Sequence, residues 1–417
     1  MRTHPLSIER LTFGPDALAR LDGRIVFVAG AAPGDRVLAE LTQVHRGVLR
    51  ARVAQVVTPG PSRVEPRCPW IDRCGGCPWQ HIAAAAQQEA KRAVVAEQLA
   101  RLGGLRDVAV APTLAAPDPW HYRSRITLAT AGRRLGYHGR GSHRLVAIDD
   151  CLIAEPILVT HLPVARQWLA ELRTVPRRVT LAVGHRGVVI HGHGGPAPSD
   201  DDDQTSARLL ARSPTVQGVI LSGGGQRHVV GDPMLHVPLE AGCELVVPAD
   251  AFTQVHPAAN RLVVRTVLEL SALAAGDRAL DLYCGAGNFA LPLARRGVSV
   301  TGIERSAIAT AAASANARRL GVSFAVVTGD VATVLATLPR APLDCVVLDP
   351  PRGGAADAVP MLAAHRPARI VYVSCDPATL ARDARHLVAL GWRLVRVQPI
   401  DVFPQTHHIE TVAEFRC

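Results

Sequence analysis

The chain has 417 residues, of which 48% are hydrophobic, and a formal net charge of +10 at pH 7. That length implies two or three domains with sizeable cores, and no apolar run is long enough to span a bilayer or to act as a cleavable signal. A soluble cytoplasmic protein with no membrane partner is expected, and the basic balance, carried by arginine with Lys91 as the only lysine, suits a polyanionic partner such as nucleic acid.

Residues 5 to 58 alternate short β-like runs (Ile25 to Val28, Val37 to Ala39, Ala51 to Val57) with turn signals at Gly14-Pro15, Asp22-Gly23 and Pro33-Gly34. The pattern predicts a small antiparallel barrel. Basic residues between its strands make it an RNA-binding surface, and a β domain without a ligand is an equally simple reading. Next, CPWIDRCGGCPWQH crowds Cys68, Cys74 and Cys77 into ten residues. Nine cysteines in all, an odd number, argue against a disulfide framework and point to metal. Gly75 and Gly76 let the backbone fold tightly around one inorganic centre, with Cys151 of DDCLIAEP as the best distant fourth ligand. Four thiolates suit an iron–sulfur cluster. A Cys₃His zinc site completed by His81 is the weaker alternative, since no second CxxC exists.

Residues 83 to 105 are helix-rich and stop at Gly103-Gly104. Residues 120 to 190 return to strand-like alternation, with Tyr122-Arg123-Ser124-Arg125 and Gly139-Arg140-Gly141 as candidate RNA contacts or an ordinary solvated basic face. Residues 191 to 206, with glycines and the Asp200 to Asp203 run, read as a mobile surface loop. After Asp250 the composition changes to alternating strands and helices, and residues 276 to 417 are long enough for a doubly wound α/β domain.

In that half, Asp281-Leu-Tyr283-Cys284-Gly285-Ala286-Gly287-Asn288 predicts a strand, a glycine turn and a helix start. Glu304 follows the next strand at the separation where an acid meets ribose hydroxyls, and Gly329-Asp330 ends a third, where an acid or amide meets an adenine edge. No third glycine or basic residue completes a dinucleotide or phosphate-loop fingerprint. The stretch resembles instead the first motif of class I methyltransferases, whose cofactor is S-adenosylmethionine. A fourth strand runs from Asp344 to Asp349 and into Pro350-Pro351-Arg352. Methyltransferases acting on exocyclic amino groups have an aromatic where Arg352 stands, which disfavours that chemistry.

The run Ile370 to Val373 delivers Cys375 to a strand end, and Asp376-Pro377 opens a helix whose N-terminus is expected to lower the thiol's pKa. Neighbouring strands put Asp349 and Cys375 side by side. A last strand, His408 to Phe415, running antiparallel as in class I methyltransferases, brings Glu410 to the thiol across 35 residues of sequence. The pair fits methylation of uracil C5: a thiolate adds to C6, C5 attacks a methyl sulfonium, and a base removes the C5 proton. The plainer readings are a buried apolar cysteine, a salt-bridged Glu410 and Asp349 as a helix cap.

Together CPWIDRCGGCPWQH, FTQVHPAAN, DLYCGAGNFALPLA, DPPRGG, VYVSCDPATLARD and DVFPQTHHIETV resemble the bacterial RNA (uracil-5-)-methyltransferase family, which makes 5-methyluridine in tRNA and 23S rRNA. The resemblance implies an α/β fold: an OB-type TRAM barrel over 1–58, a β-rich central domain over 59–248 and a Rossmann-like methyltransferase domain over 249–417. The helix at 83–105 is expected to pack on the last of these. The resemblance makes Cys375 the nucleophile and Glu410 the proton acceptor. It assigns Gln254, Tyr283, Asn288, Glu304, Asp330 and Asp349 to the S-adenosylmethionine site, and Cys68, Cys74, Cys77 and Cys151 to a [4Fe-4S] cluster. Three positions depart from the family pattern: Asp376 and His256, where Asn is frequent, and Asp330, where members acting on ribosomal RNA often have Asn. Because members with both cluster and barrel mostly act on 23S rRNA, structured rRNA is favoured over tRNA as partner, with a monomer as the expected state. Two other classes compete, a cluster-based redox or radical enzyme and a non-catalytic RNA-binding protein. The cysteine spacing of five then two, with Cys151 closing the site, speaks against the radical reading. The intact thiol, acid and glycine set speaks against the non-catalytic one.

Overall fold

The computed structural model describes residues 3–45, 48–240 and 242–417. Five strands, β1 (Thr3–Leu11), β2 (Ala17–Leu21), β3 (Arg24–Ala29), β4 (Arg36–His45) and β5 (Val48–Thr58), close into a barrel in the order β1-β2-β3-β5-β4. Alternation does the sorting: Leu6 and Ile8 of β1 and Val26 and Val28 of β3 point inward between outward neighbours. The barrel is not wholly antiparallel, because β3 and β5 pair in parallel. Fully buried Asp35 accepts hydrogen bonds from the amides of Ala32 and Gly60 and from Arg63, so the chain leaving the barrel is tied back to it. Trp79 and Ile82, just beyond the cysteine motif, pack into the barrel core.

Helix α1 (Ala84–Arg101) turns Val94, Val95 and Leu99 away from the barrel and into the core of the C-terminal half. The central sheet has β6 (Arg125–Ala131), β7 (Arg134–His138), β8 (Leu145–Val146), β9 (Arg178–Val183), β10 (Val188–His193), β11 (Val216–Gly223) and β12 (Gln226–Gly231), in the order β12-β11-β10-β9-β6-β7-β8. Helices α2 (Pro156–Thr160), α3 (Leu162–Glu171) and α4 (Asp200–Arg212) build its core around Trp168, Leu169 and Leu209. The expected mobile loop over 191–206 is corrected here, since its ends are β10 and α4. Ser199 and Asp202 form a capping box, and the four aspartates occupy α4's first turn, where the helix dipole favours negative charge.

A hairpin of β13 (Met234–Pro238) and β14 (Glu244–Pro248) leads to α5 (Pro257–Ser271). Then come β15 (Arg278–Leu282), α6 (Ala290–Arg295), β16 (Ser299–Glu304), α7 (Ala307–Leu320), β17 (Phe324–Thr328), α8 (Val331–Thr337), β18 (Cys345–Leu348), α9 (Val359–His365), β19 (Arg369–Ser374), α10 (Pro377–Ala389), β20 (Arg393–Ile400) and β21 (Glu410–Arg416). The strand order is β17-β16-β15-β18-β19-β21-β20. The first five strands are parallel, and β21 runs antiparallel between β19 and β20. The five parallel strands therefore end on one edge, where β21 begins. Among the described residues no helix is long and apolar enough to cross a membrane.

Candidate active site

The register of β19 against β21 brings together the thiol and the carboxylate that the sequence singles out. Ser374 lies opposite Thr411, so Cys375, one residue beyond β19, faces Glu410, the first residue of β21. On the other side, β18 pairs Leu348 with Tyr372, which sets Asp349 at the same edge. Cys375 and Asp349 are half-buried, whereas Glu410 is 2% exposed and its Oε1 has no hydrogen-bond partner. An orphaned carboxylate oxygen in a core is costly unless the site has a use for it.

Burial pushes the Cys375 thiol up to about 11, with the charges of Glu410 and Asp349 adding and that of Arg352 opposing. This corrects the expectation that the helix N-terminus lowers it. Asp376 caps α10 with its own carboxylate, accepting from Ala378 N at 2.9 Å and Thr379 N at 3.0 Å, so the amides that would favour a thiolate are engaged elsewhere. Burial raises Asp349 to about 7, and burial plus the neighbouring Asp349 raise Glu410 well above the carboxylate range. Asp281, fully buried with one oxygen on Ala290 N and the other unpartnered, is likewise raised by burial and then by Asp349 and Glu304. Four carboxylates thus crowd one sheet edge, a field that favours a cation.

The glycine turn is built for close approach. Gly285 and Gly287 take φ of +54° and +101°, and a Cβ on Gly287 would come 2.8 Å from Leu291. Tyr283 adopts φ of +62° without being glycine, a strain of about 1–2 kcal/mol held by the turn. Glu304 accepts from Gly285 N at 3.2 Å and Ser306 N at 2.6 Å, which holds the turn to β16. Asn288 and Asn260 exchange paired amide bonds of 2.9 and 3.1 Å, locking the turn to α5. Gln254 is half-buried in the loop before α5, where His256 caps the helix and stacks 4.6 Å from Tyr122. Asp330 is exposed and caps α8 through Thr333 N. The sequence reading gave no role to Asp281 or Asn260. The acid at the end of the first strand was the available signal for Asp281, and Asn260, inside FTQVHPAAN, had none until its partner was seen.

Cys68, Cys74, Cys77 and Cys151 line one cavity together with Gln80, Arg123 and Tyr137. Burial raises the pKa values of Cys74, Cys77 and Cys151, and this is opposed by the Gly76 amide at Cys74, by the Gln80 side chain at Cys77, and by the amides of Ile153 and Ala154 and the Tyr137 hydroxyl at Cys151. His81 turns away, bonded through Nε2 to Ala31 O at 3.1 Å, so it does not complete a zinc site. Among the described residues, no three His, Cys, Asp or Glu side chains converge closely enough for one metal ion. Of the candidate RNA contacts, Arg140 is exposed, but Tyr122 is 4% exposed and donates its hydroxyl to Pro404 O, so it is a packing residue.

A parallel sheet with a reversed strand next to last, a glycine turn after its first strand and acids along the carboxyl edge define a class I methyltransferase, here joined to a five-stranded barrel. Comparison with known proteins narrows this. Residues 336–414 match the tRNA (uracil-5-)-methyltransferase family model, residues 2–54 the TRAM domain, and residues 276–357 the RNA cap guanine-N2 methyltransferase model. A 23S rRNA (uracil(1939)-C(5))-methyltransferase of Pseudomonas putida is 37% identical, covering 98% of this chain and 93% of that one. An uncharacterized RNA methyltransferase of Thermosynechococcus vestitus is 36% identical over 99% and 97% of the two chains. The crystal structure of Pyrococcus abyssi tRNA (uracil-54, C5)-methyltransferase with S-adenosyl-L-homocysteine matches the fold at a TM-score of 0.77, with 24% identity over 99% of this chain and 100% of that one. The chain belongs to the RNA (uracil-5-)-methyltransferase family, and is an S-adenosylmethionine-dependent enzyme that acts on RNA.

Proposed function

We propose that the enzyme makes 5-methyluridine in 23S rRNA through covalent catalysis by Cys375 and Glu410. The carrying observation is the pairing of Ser374 with Thr411, which sets a thiol and an unpartnered carboxylate at adjacent strand ends. Cys375 gives up its thiol proton to solvent, and the resulting thiolate bonds to C6 of a uracil flipped from its stack, pushing electron density onto C5. S-adenosylmethionine supplies the electrophilic methyl group that C5 takes. Glu410 then removes the C5 proton, and the electrons left behind re-form the C5–C6 double bond and expel the thiolate. The 23S target over tRNA rests on the name of the Pseudomonas relative and on the barrel. Mapping 5-methyluridine in rRNA and tRNA from a deletion strain tests it: loss at one 23S uridine is expected, and loss only in tRNA would overturn the assignment.

Gln254, Tyr283, Asn288, Glu304, Asp330 and Asp349 are assigned to the cofactor site. Glu304 and Asn288 hold the glycine turn, and Asp349 offers its charge to the sulfonium. The sign of the resulting pH dependence follows from Asp349's raised pKa. Folded protein keeps this proton where the unfolded chain has lost it, so the cofactor-free protein loses stability as pH rises from about 4 to about 7 and no further. Cofactor binding requires the proton to leave. S-adenosylmethionine affinity is therefore expected to weaken roughly tenfold per pH unit below about 7 and to be flat above it. Calorimetric titrations at pH 6 and pH 8 check this, and Asp349→Asn should bind weakly with no such slope.

Cys68, Cys74, Cys77 and Cys151 are proposed to hold a [4Fe-4S] cluster. Support comes from the shared cavity and from the N–H and O–H groups already aimed at three of the four sulfurs, since such donors favour thiolates. Four thiolates at zinc bond lengths of about 2.3 Å would sit closer together than those around a cubane. Cys68, Cys74 and Cys77 on one side and Cys151 on the other would hold it, which would tie the 68–77 segment to the chain after β8. Iron and sulfide analysis of protein purified without oxygen is expected to give four of each per chain, and zinc instead would reverse the assignment.

A further inference from the structure

The loop between β20 and β21, residues 401 to 409, delivers Glu410, yet its backbone is held from outside its own domain. Lys91 of α1 is 0% exposed and donates to Asp401 Oδ1 at 2.5 Å and to Phe403 O at 3.1 Å. Gln87, one turn earlier, accepts from Gln405 N at 3.0 Å and donates to Gln405 Oε1 at 3.1 Å, to Trp79 O at 3.1 Å and to Ile82 O at 2.8 Å. Trp79, two residues after Cys77, donates its own amide to Gln405 O at 3.1 Å. Tyr122 adds a bond to Pro404 O at 3.1 Å. Gln405 itself takes φ of +70°, a conformation glycine adopts freely and glutamine only under constraint. Inside a core, such a bond set has few alternatives, because each group left unpaired costs more than its bond is worth.

We infer that Lys91 and Gln87 are positioning residues for proton removal: the clamp they form on residues 401 to 405, anchored on the segment after Cys77, sets where Glu410 stands against Cys375. The inference rests on Glu410 being the base. It gives a use to the one lysine of an arginine-rich chain, which sits in a core with Asp401 as its ion-pair partner. It also separates two halves of the reaction. Addition of the thiolate and methyl transfer use β18 and β19, which the clamp does not touch, whereas elimination uses β21.

The test is single-turnover methylation of substrate RNA by the full-length enzyme, following formation and decay of the covalent protein–RNA adduct on denaturing gels. Two variants are used. Lys91→Met with Asp401→Leu replaces the buried ion pair by apolar side chains, a change that cores tolerate better than the loss of one partner. Gln87→Leu removes the other arm. Adduct formation within about threefold of wild type, with decay slowed at least about tenfold, is expected of both. Formation and decay falling together, with weakened S-adenosylmethionine binding, would mean a merely structural role and would overturn the inference, as would wild-type decay in correctly folded variants. Glu410→Gln is run alongside. If it traps adduct and the clamp variants do not, the inference fails and the catalytic assignment stands; if it traps none, the assignment itself has failed.

Discussion

Cys375→Ala is expected to abolish 5-methyluridine formation, lowering the rate by at least ~10⁴-fold, while leaving S-adenosylmethionine binding within a factor of about three. Free uracil C5 is too weakly nucleophilic to take a methyl group unaided, so without addition at C6 the chemical step has no path of similar height. The side chain is half-buried at a strand end and is followed by the Asp376 cap, so its truncation removes one sulfur and leaves α10 and β19 intact. The measurements are incorporation of labelled methyl groups into RNA and calorimetric cofactor titration. A variant that still methylates at more than a hundredth of the wild-type rate would exclude the covalent route.

Glu410→Gln is expected to produce the opposite kind of defect, accumulation rather than absence. Addition and methyl transfer proceed, the C5 proton stays, and the protein remains bonded to methylated RNA. Turnover should fall by ~10²–10⁴-fold, the usual worth of a positioned general base. A band of slowed protein mobility that requires both RNA and S-adenosylmethionine, and that disappears in Cys375→Ala with Glu410→Gln, is the expected result. Glutamine is nearly isosteric, and one carboxylate oxygen already lacks a partner, so the substitution should not cost stability. It removes a buried group whose ionisation Asp349 opposes, so a melting temperature equal to or above wild type is expected.

Most of this site was legible in sequence, because class I strand order turns sequence neighbours into spatial ones by rule. A thiol after the fifth strand and a carboxylate opening the seventh meet wherever β21 runs antiparallel to β19. The family motifs are also the ground on which Gln254, Tyr283, Asn288, Glu304, Asp330 and Asp349 are proposed as cofactor positions. What escaped was set by partners that no local pattern announces. Lys91 and Asp401 are 310 residues apart, and Gln87 and Gln405 are 318. The 191–206 stretch was read as mobile from its glycines and charge, and the capping box at Ser199 and Asp202 that starts α4 went unread. Tyr122 lies in a basic run that reads equally as a set of candidate RNA contacts or as a solvated face, yet it is neither exposed nor solvated, being buried against the loop whose carbonyl it binds. The rise of the Cys375 pKa comes first from burial and from the carboxylates of Glu410 and Asp349, which no local pattern announces, while the helix amides expected to oppose it are taken by Asp376.

That cap also bears on how the enzyme survives between substrates. A sulfur whose proton leaves only near pH 11 is ionised in roughly one molecule in 10⁴ at neutral pH. Peroxide attacks the anion, so a resting enzyme of this kind is a poor candidate for sulfenic acid formation, unlike low-pKa cysteines poised for redox sensing. Burial does most to hold that proton on the sulfur, the carboxylates of Glu410 and Asp349 add to it, and Asp376, by capping α10 with its own carboxylate, leaves the amides of Ala378 and Thr379 unable to reverse it.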